Sequence, residues 1–323
     1  MAETARILAQ INLILLAKNV TKKLDHNNLS DYIKDGRKGH ANFEFVDVQL
    51  DSDNRIFIDP AVLENATDEW SIEANNCVQS FFDCLFAALK NNQPDELFDH
   101  AHEQNATKFG YGNGQNGKGK TADGLEEALS KLKNLVHVIP TISKGEDIPV
   151  LVEGFAEDCM SDLLTNILHE QLNEFTAQQM KRRGIPAAGM KTFWTWDMVG
   201  NTWRQVTKES WSYKGKELLM VPKWIVRKNY LFKAHQYLYG VITERMQAEK
   251  GWEDMKKIDI LNNMPKDNKH WEYETVIQYT KEHPDALEEY HKRIPKYYSR
   301  AHGIMSDEEL DMAIYGCEIE EVA

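Results

Sequence analysis

The segment Asp68–Leu89, DEWSIEANNCVQSFFDCLFAAL, constrains the fold of this chain more than any other. Trp70, Ile72, Val78, Phe81, Phe82, Leu85 and Phe86 recur at helical spacing and imply a deeply packed helix. Such a helix needs other elements around it, and the flanking text supplies both helical and extended ones. Glu3–Leu24 has an amphipathic helical period, with Ile7, Leu8, Ile11, Ile14 and Leu15 on its apolar side and Lys18, Lys22 and Lys23 near its end. Phe43–Pro60 alternates around the turn-forming Asp51–Asn54, which predicts a hairpin.

Beyond a glycine-rich stretch over 109–124, Leu125–Val136 and Glu157–Lys181 have helical spacing. Between them Ile148–Phe155 (IPVLVEGF) has the length and composition of a buried strand. Thr192–Val206 predicts a second hairpin turning at Val199-Gly200-Asn201, with tryptophans on both arms. Lys216–Val226 predicts a strand interrupted by Pro222, an edge or strand-end feature. After Arg227 the text is helical, with breaks expected at Pro265, Pro284 and Pro295. The order implies an α+β fold: a mixed sheet body with hairpins packed by long helices over residues 1–228, then a helical C-terminal region over 229–323 ending in an acidic tail.

Composition narrows the function classes. At 42% hydrophobic and 10% aromatic, the 323 residues can fill a core, which excludes disordered and fibrous classes. No run approaches the roughly 18–20 apolar residues of a membrane span. Cys77, Cys84, Cys159 and Cys317 are scattered without a C-x-x-C pair, so a reduced, cytoplasmic protein is expected. The formal charge of −13 argues against nonspecific coating of nucleic acid, because phosphate binding draws its affinity from basic faces. The excess is concentrated, however, since seven acidic residues and no Lys or Arg fall within Gly303–Ala323. Local basic clusters remain at Lys181-Arg182-Arg183, at Lys223, Arg227 and Lys228, and at Lys292, Arg293, Lys296 and Arg300. Each reads either as a solvated helix face or as a binding patch.

Three places could carry chemistry. Gly114–Thr121, GQNGKGKT, satisfies the phosphate-loop pattern G-x-x-x-x-G-K-S/T: Gly114 and Gly119 would let the backbone approach a phosphate, Lys120 would reach it, and Thr121 would ligate magnesium. Its context is wrong, because the polar HEQNATKFGY before it makes a poor buried strand, so a mobile loop is the rival reading. The second place is Glu153, Asp158 and Asp162, with Asn166 continuing an i, i+4, i+8 stripe from Asp158. A strand-end carboxylate facing two helix carboxylates would hold Mg2+ or Mn2+ through oxygen ligands; the rival reading is an ordinary acidic first turn. The third, His100 and His102, shares a side only on an extended backbone and lacks a third zinc ligand of suitable spacing.

RIFIDPAVL (Arg55–Leu63), EDCMSDLLTNIL (Glu157–Leu168) and ELLMVPKWIVR (Glu217–Arg227), in that order, resemble a group of uncharacterised bacterial proteins of similar length, over about residues 43–228. The resemblance implies an association with antiviral defence and carries no mechanism. For a defence effector the available residues suit magnesium-dependent phosphodiester cleavage, with Glu153, Asp158 and Asp162 as catalytic acids and metal ligands and Lys223 as the cation that orients water. Asp59 is a further candidate ligand. The compact Asp and Glu-x-Lys spacing of restriction-type nucleases is not visible. The expected partners are nucleic acid, and a protein partner or a second copy of the chain, with no membrane. The alternatives are a non-enzymatic sensor or assembly subunit, and a nucleotide-binding protein using GQNGKGKT.

Overall fold

The computed structural model describes residues 27–92, 97, 99–100, 105–111, 122–249, 251–301 and 303–316. The helix expected over Glu3–Leu24, the GQNGKGKT segment, His102 and Cys317 lie outside the described residues. The body begins with a single turn, α1 (Leu29–Tyr32), and a largely extended run to β1 (Phe57–Ile58). Asp59 then starts α2 (Pro60–Asn65): its Oδ1 accepts the N–H groups of Ala61 and Val62, and Pro60 has no N–H to satisfy. Asp68 caps α3 (Glu69–Lys90) by accepting the Ser71 N–H at 3.0 Å. Further helices follow: α4 (Ala122–Val138), α5 (Asp147–Leu151), α6 (Glu157–Ile167) and α7 (His169–Arg182).

The hairpin β2 (Gly189–Asp197) and β3 (Thr202–Ser210) forms in the expected place, with Trp196 directly opposite Trp203. These two rings and Phe81 of α3 meet edge to face at centroid distances of 5.1–5.7 Å, so the central helix rests on the hairpin's inner side. Trp70 is only partly buried and Ile72 is exposed, so α3 buries the later part of its apolar set. Two smaller antiparallel pairs complete the strands: β4 (Ser212–Tyr213) with β5 (Lys216–Glu217), and β1 with β6 (Val226–Arg227). The helical region comprises α8 (Ala234–Tyr237), a π turn over Leu238–Ile242, α9 (Thr243–Gln247), α10 (Lys257–Asn263), α11 (Trp271–Glu282), α12 (Asp285–Arg300) and α13 (Asp307–Ile314). The fold is α+β, with small sheets embedded among helices and a helical C-terminal part.

Several expectations are corrected. Phe43–Pro60 is no hairpin, because its two runs bond to a distant segment instead of each other: Val46 donates to the Val221 carbonyl and Lys223 to the Glu44 carbonyl, both at 3.0 Å, and Phe57 pairs Arg227. Lys216–Val226 is correspondingly broken into β5, an extended stretch, a 3-10 turn over Lys223–Ile225 and the start of β6. Ile148–Phe155 is not a strand. Its apolar run lies within and just after α5, where Asp147 accepts the N–H groups of Ser143 and Lys144 at 2.9 Å and Pro149 occupies the first turn, which tolerates its missing N–H. Glu157–Lys181 divides at Leu168, whose φ of −91° and ψ of 15° end α6 before α7 begins. Pro295 lies inside α12 without ending it.

The last helix is clamped to the body through His40. The Asp47 N–H donates to His40 Nε2 at 3.0 Å, so Nδ1 carries the ring proton and donates to Asp311 Oδ1 at 2.6 Å. The same carboxylate oxygen accepts the His40 backbone N–H at 2.9 Å, and Tyr315 donates to Asp47 Oδ2 at 2.5 Å. His40 is fully buried, so losing its acceptor would strand two donors. Asp311→Ala is therefore expected to cost about 2–4 kcal/mol in urea unfolding. Lys181→Ala, which removes an exposed pair with Glu209, is expected to cost less than about 1 kcal/mol.

Candidate functional site

The first turn of α6 places Glu157 and Asp158 next to each other where unpaired backbone N–H groups favour negative charge. Glu157 is almost buried. Its Oε2 accepts the Tyr111 hydroxyl at 2.5 Å and its Oε1 pairs with Lys233 Nζ at 2.7 Å. Burial pushes this carboxyl up, but Lys233 and Tyr111 outweigh it and hold it below the usual range. The Tyr111 hydroxyl is raised by its own burial and by Glu157, so it stays a proton donor.

Tyr111 reaches Glu157 because Asn54 pins the chain before it. The Asn54 N–H donates to the Lys108 carbonyl at 2.8 Å, and the Gly110 N–H donates to the Asn54 carbonyl at 2.9 Å. The buried Asn54 side chain adds a bond to the same Lys108 carbonyl and two more to the Gln49 backbone. The chain then passes through Gly110 at φ +147°, a conformation that favours glycine. A Cβ at that position would lie 3.4 Å from Asp158 Oδ1 and 3.7 Å from Asp53 Cγ. Two carboxyl groups from separate segments thus stand against one glycine. Arg55 is exposed and lies over the Tyr111 ring at 5.5 Å from its centroid, with Phe57 behind that ring at 4.9 Å. The arrangement joins Asp53, Asp158 and buried Glu157 with the cations Arg55 and Lys233, beside the chain entering the glycine-rich segment. A carboxylate pair flanked by two partly exposed cations can hold a divalent cation and a phosphate together.

The other residues expected to act are placed as follows. Glu153 follows α5 and stands against the His270 ring. Asp162 lies half-buried on α6, its carbonyl accepting from Asn166 at 3.0 Å. Among the described residues no three His, Cys, Asp or Glu side chains are grouped so as to hold a metal ion. Lys223 donates to the His40 carbonyl at 2.8 Å and pairs with Asp307 at 2.5 Å, so its charge serves the attachment of α13. Asp59 is a fully buried helix cap. His100 stacks on Trp194 at 3.8 Å between centroids. Gly114, Gly119, Lys120 and Thr121 lie outside the described residues. The first basic cluster is spent on ion pairs, Lys181 with Glu209, Arg182 with Glu44 and Arg183 with Asp35; in the third, Arg293 pairs with Glu244 and Glu289.

Asp53, Arg55, Tyr111, Glu157 and Lys233 were not singled out by spacing. One signal for them existed, the adjacent acids Glu157 and Asp158 at a helix start. A family model described as a domain of unknown function (DUF8370) matches residues 36–233, more than half of the chain and ending just before α8. No curated protein and no solved structure matches.

The charge state of Glu157 is open to direct test. In a carboxyl NMR titration its midpoint is expected below 4.5, and Tyr111→Phe or Lys233→Met is expected to raise it, since burial then acts with less opposition. The stability this group contributes is present above pH 4.5 and is lost as pH falls through the lowered folded-state value.

Proposed function

We propose that this chain, which belongs to the DUF8370 family of domains of unknown function, is a metal-dependent phosphodiesterase or nuclease acting at Asp53 and Asp158. The observation that carries the reading is that both of these side chains stand against Gly110, with Arg55 over the adjoining Tyr111 and Lys233 paired to Glu157, the neighbour of Asp158. Magnesium is held in many phosphate-transfer sites by one or two carboxylates, with water and substrate phosphate filling the remaining positions. Two carboxylates, with no third such side chain grouped with them among the described residues, fit that pattern. Bound there, Mg2+ or Mn2+ would supply Lewis-acid polarisation of a phosphoryl oxygen and a more acidic water.

The chain's own residues do the rest. Lys233, held by ionised Glu157, and Arg55, held over Tyr111, present positive charge to the phosphate. Lys233 takes the part for which Lys223 was a candidate, since Lys223 lies instead at the attachment of α13, bonded to the His40 carbonyl and paired with Asp307. The setting we propose is the bacterial defence role implied by the sequence resemblance.

A second reading, assembly through protein contacts, is favoured by the β2–β3 turn, where Met198 and Val199 are exposed beside the partly exposed Trp194. The GQNGKGKT segment keeps nucleotide binding as a further proposal, tested by an ATP or GTP thermal shift that Lys120→Ala should abolish.

Purified protein is expected to cleave DNA or RNA with Mg2+ or Mn2+ and to stop when the metal is chelated. Asp158→Asn and Asp53→Asn are each expected to lower the rate by about 100-fold or more. Cleavage unaffected by both substitutions, or none under any metal, would remove the reading.

A further inference from the structure

Helix α12 lies against three buried carboxyl groups of the body. Tyr298 donates its hydroxyl to Asp59 Oδ2 at 2.5 Å, and His291 Nε2 meets Asp147 Oδ1 at 2.5 Å. Between these contacts is Glu146, 1% exposed, with neither carboxyl oxygen bonded to any partner. An ionised carboxylate in that state pays desolvation without compensation, whereas a protonated one is tolerated more easily.

The same helix fixes the segment that carries Lys233. Tyr298 accepts the Leu231 N–H at 3.4 Å, and Tyr290 accepts the Lys233 N–H at 3.2 Å. The hydroxyl that seals Asp59 therefore also holds the backbone two residues before the candidate site's cation.

We propose that α12 is a proton-controlled latch on Lys233: loss of protons from the buried seam loosens α12 and frees the Leu231–Lys233 segment. As regulation of the candidate site the latch rests on the phosphodiesterase reading, whereas its conformational part stands without it.

The charges around the seam act together. Asp59 faces Tyr298 of α12, Arg227 of β6 and Tyr230. Glu146 is acted on by Glu64 of α2 and by Lys144 and Asp147 of its own turn, and it acts in turn on His291 and Tyr298 of α12. Lys144 is itself paired with Glu64. Burial pushes both Asp59 and Glu146 up to about 7, in Asp59 against the hydrogen bonds it accepts from Tyr298, Val62 and Ala61 and in Glu146 with Glu64 adding to the effect. Burial lowers His291, but Asp147 outweighs it and raises the imidazole above 6.5. All three groups hold protons more tightly in the docked state. Their contribution is complete below the unfolded values of 3.8, 4.5 and 6.5, and it is lost as pH rises through about 7 for the two acids and above 6.5 for His291.

Amide hydrogen exchange of the full chain tests the latch. Protection factors of the Leu231 and Lys233 amides are expected to fall by roughly tenfold or more between pH 5.5 and 8.5. Glu146→Gln, which keeps the shape and removes the titrating proton, is expected to flatten that fall, and Asp59→Asn to flatten it in part. Constant protection factors in the natural chain would overturn the proposal even if neither variant folds. So would an unchanged slope in both variants. Exchange does not depend on cleavage, so a chain that cleaves nothing yet shows this pH dependence loses the enzymatic reading and retains the latch.

Discussion

The hydroxyl of Tyr230 fastens three parts of the molecule at one point. It is fully buried, and its single proton is shared between the Ile58 carbonyl at 2.6 Å and the Glu157 carbonyl at 3.1 Å, joining the end of β1 to the first turn of α6. The β1–β6 pair is only two residues long on each side, too short to be stable alone. Its neighbours make it so. The Tyr230 ring stacks on Phe232 at 4.8 Å and meets Phe57 edge to face, so the chain leaves β6 along a fixed path toward Lys233. The position of Lys233 beside Glu157 is a consequence of this aromatic seam.

Glu146 and Glu157 show how surroundings decide what a buried carboxyl does. Both are nearly inaccessible and both stand at the start of a helix. Glu157 receives a tyrosine hydroxyl and an ammonium group, and it remains ionised. Glu146 is buried without a hydrogen bond from any other residue and has Glu64 and Asp147 nearby, which push its carboxyl up to about 7. One carboxyl is thereby fixed as a charged support for the candidate site. The other serves as a store for a proton at the seam under α12.

Elements whose signals are local were legible in the sequence. Asp68 and the apolar spacing after it define α3, and Val199-Gly200-Asn201 defines the turn that brings Trp196 opposite Trp203. Ile148–Phe155 misled because a short apolar run has the same composition in a buried strand and a buried helix; only Pro149 argued against a strand interior. The extended run Phe43–Leu50 was seen as extended, but its partners lie near Val221, far along the chain, and alternation does not reveal a partner. The candidate site suffers from the same separation. Its residues come from 53–55, 110–111, 157–158 and 233, and no spacing within any one segment connects them.

Charge distribution then limits how such a site could hold phosphate. Lys181, Arg182, Arg183, Lys223 and Arg293 are matched by carboxylates, so these cations offer little net positive potential. At the candidate site Arg55 lies over Tyr111 and Lys233 is committed to Glu157, while Asp53 and Asp158 stand against Gly110. So few cations set among carboxylates cannot draw a polyanion by counterion release, which requires many neutralised phosphates. Under the proposed reading the divalent cation is therefore needed for binding as well as for chemistry, because it adds positive charge where the two carboxyl groups stand against Gly110. The acidic balance of the chain and a phosphodiester substrate are compatible on that condition alone.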